Sequence, residues 1–237
     1  MLLLAVWLII FIIPRAVEAR SALVDSTDVK IRNASSQDAT GSETSVFIHP
    51  TDSRIVLVSI INQITSGVSA WVSQDGGMTW AGDNSAAGGS DSYGDPAAVI
   101  RRSIASSPVR YLVGQLTAKA GQKVIHKENA TSLSWASTII KHDSLGKTDK
   151  NHLWVDNHAE SPENLRGRLY SAWSTEAKRV EAMYSFNAGA SWTGLREIDA
   201  TPSRAEWGVN LVVSTSPGFV VLRAGQETLR HKLTLIR

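Results

Sequence analysis

The chain has no cysteine among its 237 residues. Disulfides, thiolate metal sites and cysteine nucleophiles are therefore excluded. Charge of either sign is sparse: Asp, Glu, Lys and Arg make up 19%, and 24 basic residues nearly cancel 22 acidic ones. No block of five or more basic residues occurs. So small a surplus argues for neither nucleic acid nor a membrane surface as partner. Long segments with apolar residues at a period of 3.6 are missing as well, which leaves an all-β class. Hydrophobic residues still make up 43%, enough to bury a substantial core.

One continuous apolar run is present, at residues 2–13. It is shorter than the about 17–25 residues that span a bilayer. Pro14 and then Val17-Glu18-Ala19 follow it, a pattern that fits an export signal cleaved after Ala19. The expected location is secreted, periplasmic or cell surface, with no membrane contact after cleavage. Residues 1–19 form the signal, 20–40 a lead-in, and 41–237 the folded part.

The folded part repeats. The octet SQDGGMTW at 73–80 returns as SFNAGASW at 185–192. Both keep Ser, an Asx residue, Gly, a hydroxyl residue and Trp at the same offsets. Midway, ENATSLSW at 128–135 keeps only the hydroxyl and the Trp. Three short β-branched runs precede each octet and one follows it, which predicts a four-stranded antiparallel unit. Four such units are expected, at about 41–90, 91–145, 146–202 and 203–237, the last with roughly two strands. A four-stranded unit recurring at this spacing predicts a β-propeller. Each octet becomes the hairpin between the third and fourth strands. Asp75-Gly76 is its turn pair, Ser73 and Thr79 bond across it, Gly77 supplies a φ that other residues resist, and Trp80 packs between blades.

SQDGGMTW resembles the Asp box (S-x-D-x-G-x-T-W) of bacterial neuraminidase repeats, and SFNAGASW a weakened copy. The chain from about Gly41 onward is similar to the sialidase-like superfamily. The resemblance implies an Asp-box β-propeller with about three and a half blades present, whose further blades or a partner chain would close it. It also implies Asp boxes that are structural and sit away from the active face: Ser73, Asp75, Gly77, Thr79 and Trp80, then Ser185, Asn187, Gly189, Ser191 and Trp192. The implied activity is glycoside hydrolysis like that of an exo-sialidase. The implied alternative is a non-catalytic propeller that binds glycan or protein. The Arg-Ile-Pro or Arg-Leu-Pro triplet of sialidases has no counterpart here. Arg204 is the Arg near a first-strand start, and Arg102 and Arg223 fall toward strand ends.

Candidate site residues come from register instead. Glu43, Asp95, Asp149 and Glu206 each precede the first strand of a unit and would meet at the channel mouth. Three readings stand open. Each carboxylate caps a local turn; or the group forms a ligand site in which crowding raises one pKa; or it is an oxygen-lined Ca²⁺ site. Otherwise no cofactor is expected. Tyr93, two residues before Asp95, either packs or joins the site, since sialidases use a Tyr nucleophile. An acidic mouth favours a neutral or cationic small ligand or glycan over an anionic sugar. His152, Asp156 and His158 are weighed as metal ligands and match no strong template. His49 reads as a turn residue before Pro50.

Overall fold

The computed structural model describes residues 31, 41–62, 67–82, 89–105, 107–163, 165–177, 179–199, 209–213, 220–224 and 227–229. The signal, the lead-in apart from Ile31, and Glu206 and Arg204 lie outside them. Three four-stranded antiparallel sheets follow one another: β1 (Gly41–Ile48) to β4 (Ala81–Gly82) through β2 (Val56–Asn62) and β3 (Gly67–Ser73); β5 (Gly94–Arg101), β6 (Arg110–Leu116), β7 (Gln122–Lys127) and β8 (Ala136–Lys141); then β9 (Thr148–Val155), β10 (Leu169–Thr175), β11 (Val180–Ser185) and β12 (Thr193–Asp199). The last sheet has three described strands, β13 (Val209–Val213), β14 (Val220–Ala224) and β15 (Glu227–Leu229), where sequence reading expects about two. Among the described residues no helix is long and apolar enough to cross a membrane.

The period of two explains the stacking. In the second sheet Ala98, Ile100, Tyr111, Val113 and Ile125 face the first sheet, where they meet Leu57, Val68 and Val72. Their neighbours Ala97, Val99, Leu112 and Val124 face the other way, onto Leu153, Val155, Leu169 and Trp173 of the third sheet. Alternate residues of a strand point to opposite faces, so a sheet buried on both sides reads as a near-continuous apolar run. β5 lies against β1 on one side and β9 on the other, and β9 also meets β13. The sheets thus stack face to face in chain order.

The first strands are not ladder partners, so side chains satisfy their backbones. Ala98 N donates to Ser45 Oγ at 2.9 Å. Asn157 Nδ2 donates to Ile100 O at 2.8 Å, and its Oδ1 accepts from Arg102 N at 3.0 Å. The described sheets do not close. Val46 and Ile48 correspond in register to buried Ala98 and Ile100, yet each is 55% exposed.

Both full octets form the expected hairpins, at the ends of the strands remote from the starts of β1, β5 and β9. Their internal bonds differ from expectation, because the Asx residue is the hub. Asp75 accepts from Ser73 Oγ (2.8 Å), Thr79 N (2.9 Å) and Thr79 Oγ1 (2.5 Å), so Ser73 and Thr79 bond to Asp75 and not to each other. The Thr79 bonds, then the Ser73 hydroxyl, hold the Asp75 carboxyl down at about 2. Asn187 is the hub of the other octet: its Oδ1 accepts from Ser185 Oγ (2.9 Å) and Ser191 N (2.9 Å), and its Nδ2 donates to Ser191 Oγ (2.8 Å). Trp80 is half-buried, its Nε1 donating to Gly77 O, rather than a fully buried anchor. Trp135 and Trp192 are also half-buried and pack against the inter-sheet cores. In the degenerate copy β7 ends on Lys127, one residue ahead of the expected octet. The Lys127 ammonium donates to Ala130 O (2.9 Å) and Ser132 O (2.6 Å) and lies 4.6 Å from the Trp135 ring centroid.

Gly189 has φ 90°, and a Cβ there would come 3.2 Å from Leu112 and 3.4 Å from Leu169. The third octet thus seats its turn on the second sheet, aided by Arg110 Nη1 donating to Ala188 O at 2.9 Å. Gly189→Ala should destabilise the fold by about 1–3 kcal/mol, from the positive φ and the close approach together. An unchanged urea midpoint would refute this seating.

Candidate functional site

Near their starts β1, β5 and β9 each carry a β-bulge. The pairing shifts between Ser42 and Ser45 in β1 and between Gly94 and Ala97 in β5. In β9 it shifts between Asp149, opposite Ser174, and His152, opposite Ala172. The first bulge residue is Glu43, Asp95 and Lys150 in turn. All three have positive φ, at 49°, 52° and 47°. Only six described non-glycine residues have positive φ, and half of them stand here. Such backbone conformations are costly for residues with a Cβ and concentrate at functional sites.

This corrects the expected register. Lys150, not Asp149, corresponds to Glu43 and Asp95; Asp149 lies one residue earlier. All four are nevertheless brought together. Lys150 Nζ is 2.7 Å from Glu43 Oε1 and 3.5 Å from Asp95 Oδ1. The Lys150 amide lies 2.9 Å from Asp95 Oδ2 and 2.8 Å from Asp149 Oδ1. Beneath them, the Asn151 side-chain amide satisfies two neighbours when its nitrogen faces Asp95 O (2.5 Å) and its oxygen faces Gln115 N (3.2 Å).

The Asp95 side chain is 11% exposed, against 43% for Glu43 and 37% for Lys150. Burial, then the hydrogen bond and charge of Glu43, push the Asp95 carboxyl up to about 7 against the pull of Lys150. Glu43 moves down, chiefly because Asp95 hydrogen-bonds to its carboxylate. At Lys150 burial opposes the charge, but the Glu43 bond and the carboxylates around it outweigh that and raise the pKa. As pH falls below about 7 the pair therefore takes up a proton, held largely on Asp95. The mouth is not the uniformly acidic ring that sequence reading suggests, because an ammonium of the chain itself stands among the carboxylates.

The remaining candidates fall elsewhere. Tyr93 does not pack: it is 55% exposed, with its backbone amide bonded to Leu116 O. Asp156 is buried and accepts from His158 N (3.1 Å) and Ser161 Oγ (2.8 Å), fixing its own loop. His152 stacks beside Trp154, and burial lowers its pKa to about 4. Among the described residues no group of three His, Asp or Glu side chains could hold a metal ion. His49 is buried in the β1–β2 turn, its Nδ1 3.4 Å from Thr51 N.

No protein-family model and no curated protein matches the chain. Solved structures do. A protein of unknown function from Dyadobacter fermentans aligns at 11% identity and a TM-score of 0.52, over 78% of this chain and 57% of that one. A glycoside hydrolase family 43 arabinoxylan arabinofuranohydrolase from Bacillus subtilis aligns at 10% identity and 0.51, over 83% of this chain and 53% of that one. A Trypanosoma rangeli sialidase aligns at 12% and 0.43, over 78% and 34%, too loosely to carry an argument. The chain spans a little over half the length of the first two. The first two likenesses show the fold alone, an all-β arrangement shared with them.

A carboxyl with a higher pKa folded than unfolded stabilises the fold while protonated. The Asp95 contribution is whole below its ordinary value of 3.8 and drains away as pH rises through about 7. Glu43 acts in the opposite sense, contributing above its ordinary 4.5 and losing that as pH falls. Asp95→Asn should therefore flatten the loss of stability between about pH 4 and pH 7. Thermal melts across that range check it, and parallel curves for the two proteins would refute the shared proton.

Proposed function

We propose that the chain is a secreted, carbohydrate-active propeller of the sialidase-like kind, acting on a neutral glycan at the mouth formed by Glu43, Asp95 and Lys150. One observation carries this reading: a largely buried carboxyl, protonated below about pH 7, stands beside a carboxylate and an ammonium on strained backbone. The octet geometry, with Asp75 and Asn187 as hubs remote from the mouth, supports the resemblance to Asp-box propellers. The pattern at residues 2–19 supports export. With Asp95 protonated, the two carboxylates Glu43 and Asp149 outnumber the one ammonium of Lys150, and the remaining negative charge suits an uncharged sugar better than sialic acid.

As a hydrolase the chain would use Asp95 as general acid, protonating the leaving glycosidic oxygen as an oxocarbenium-like transition state develops. Glu43, in contact with Asp95, would hold and return that proton as one unit with it. The two would not be the opposed pair, which must stand about 5–9.5 Å apart. The second carboxylate would have to be another residue than these two. The contact between Glu43 and Asp95 also favours a second reading, a non-catalytic module whose mouth only binds glycan.

A panel of aryl glycosides separates the two. The hydrolase should lose activity as pH rises through about 7, and Asp95→Asn should lower kcat by about 100-fold or more at an unchanged fold. The binding module should turn over no aryl glycoside yet gain melting temperature with sugar. Neither turnover nor stabilisation would refute both.

A further inference from the structure

The Asp95 end of the second and third sheets carries a feature that the acid–base cluster does not use. Lys141, at the end of β8, is only 2% exposed, and its ammonium lies 2.5 Å from Glu181 Oε2. The same oxygen accepts from Trp173 Nε1 at 2.9 Å. A charged pair taken this far out of water is rarely favourable for stability alone. It floors an open cleft of about 290 Å³, walled by Lys147, Thr175, Glu176 and Arg179. A second hollow of about 210 Å³, reaching Asp91 and Thr117, adjoins it at Lys141.

The cleft neighbours the start of β9, which carries Asp149 and Lys150. Thr175 pairs with Thr148 in the β9–β10 ladder, Ser174 Oγ donates to Asp149 O at 2.9 Å, and Glu176 N donates to Lys147 O at 3.3 Å. Lys147 on the cleft wall is three residues before Lys150, about 10 Å at the rise of a strand. The lining mixes apolar surface, from Leu145 and Ala177, with charged side chains that are paired. Each of its cations has a carboxylate partner: Lys141 with Glu181, Lys147 with Glu176 at 3.3 Å, and Arg179 with Glu197 at 2.6 Å. Such a wall offers hydrogen-bond donors and acceptors beside apolar patches, with each cation paired to a carboxylate. That suits hydroxyl groups better than an anion or an apolar chain.

We propose that this cleft is a second sugar subsite continuous with the mouth, so that the ligand is a neutral oligosaccharide of several units rather than a single terminal sugar. The inference rests on the glycan reading of the mouth and deepens it. The Lys141–Glu181 pair acts as a fixed floor, and Lys147 and Arg179, both partly exposed, reach the sugar hydroxyls.

The test is an array of neutral oligosaccharides running from one sugar to six, probed with the wild-type chain, with Lys147→Ala/Arg179→Ala, and with Asp95→Asn, all checked for equal melting temperature. The best chain of four or more units should bind about tenfold tighter than its monosaccharide. The cleft double variant should lose that gain, and Asp95→Asn should weaken every length alike. Affinity independent of length, yet sensitive to Asp95→Asn, would overturn the subsite and leave the mouth reading standing. A length-dependent gain that survives in the cleft double variant would also overturn the subsite. No glycan held at any length would overturn both.

Discussion

A β-sheet that is apolar on both faces cannot remain alone in water, and β5–β8 is such a sheet. Val99, Ile100, Leu112, Val113, Val124 and Ile125 are all fully buried. They alternate between a face turned to the first sheet and one turned to the third. Burial of this kind stabilises by about 25 cal/mol per Å² of apolar surface. It obliges the neighbouring sheets to stack on either side. Stacking in turn brings β1, β5 and β9 side by side with their starts at one end, and the site depends on that alignment.

What the stacking aligns, the bulges aim. A regular strand would send Glu43, Asp95 and Lys150 to a face of their own sheets. The extra residue and the left-handed backbone turn them toward a common point instead. Neutralisation is local: one ammonium serves two carboxylates, and a proton settles between those carboxylates because the more buried of them cannot ionise cheaply. The opposite end of the sheets has the other division of labour. There an Asx side chain closes each full octet, and in the degenerate copy a buried lysine stacked on Trp135 does comparable work.

Much of this architecture is legible in the residues. The octets and the strand-rich units follow from spacing, turn chemistry and period, and the separation of octets from mouth is what the resemblance to Asp-box repeats implies. The bulge is not, because a two-residue irregularity leaves no mark on an apolar pattern. Acid matched to acid then points to Asp149 where the structure has Lys150. The usable signal lies downstream. Val46-Phe-Ile48, Ala98-Val-Ile100 and Leu153-Trp-Val155 are equivalent apolar triplets, and three residues before each stand Glu43, Asp95 and Lys150. Tyr93 and Trp80 fail for a different reason. Aromatic residues are expected to bury, but a loop position decides exposure by what stacks on it, which no local pattern records.

The claim at the centre is that Asp95 and Glu43 take up one shared proton as pH falls below about 7. Carboxyl-carbon NMR titration of the isotopically labelled chain reads it directly. The account predicts that Asp95 titrates near 7 while Glu43 titrates below its ordinary range. An Asp95 that ionises with the surface carboxylates would contradict it.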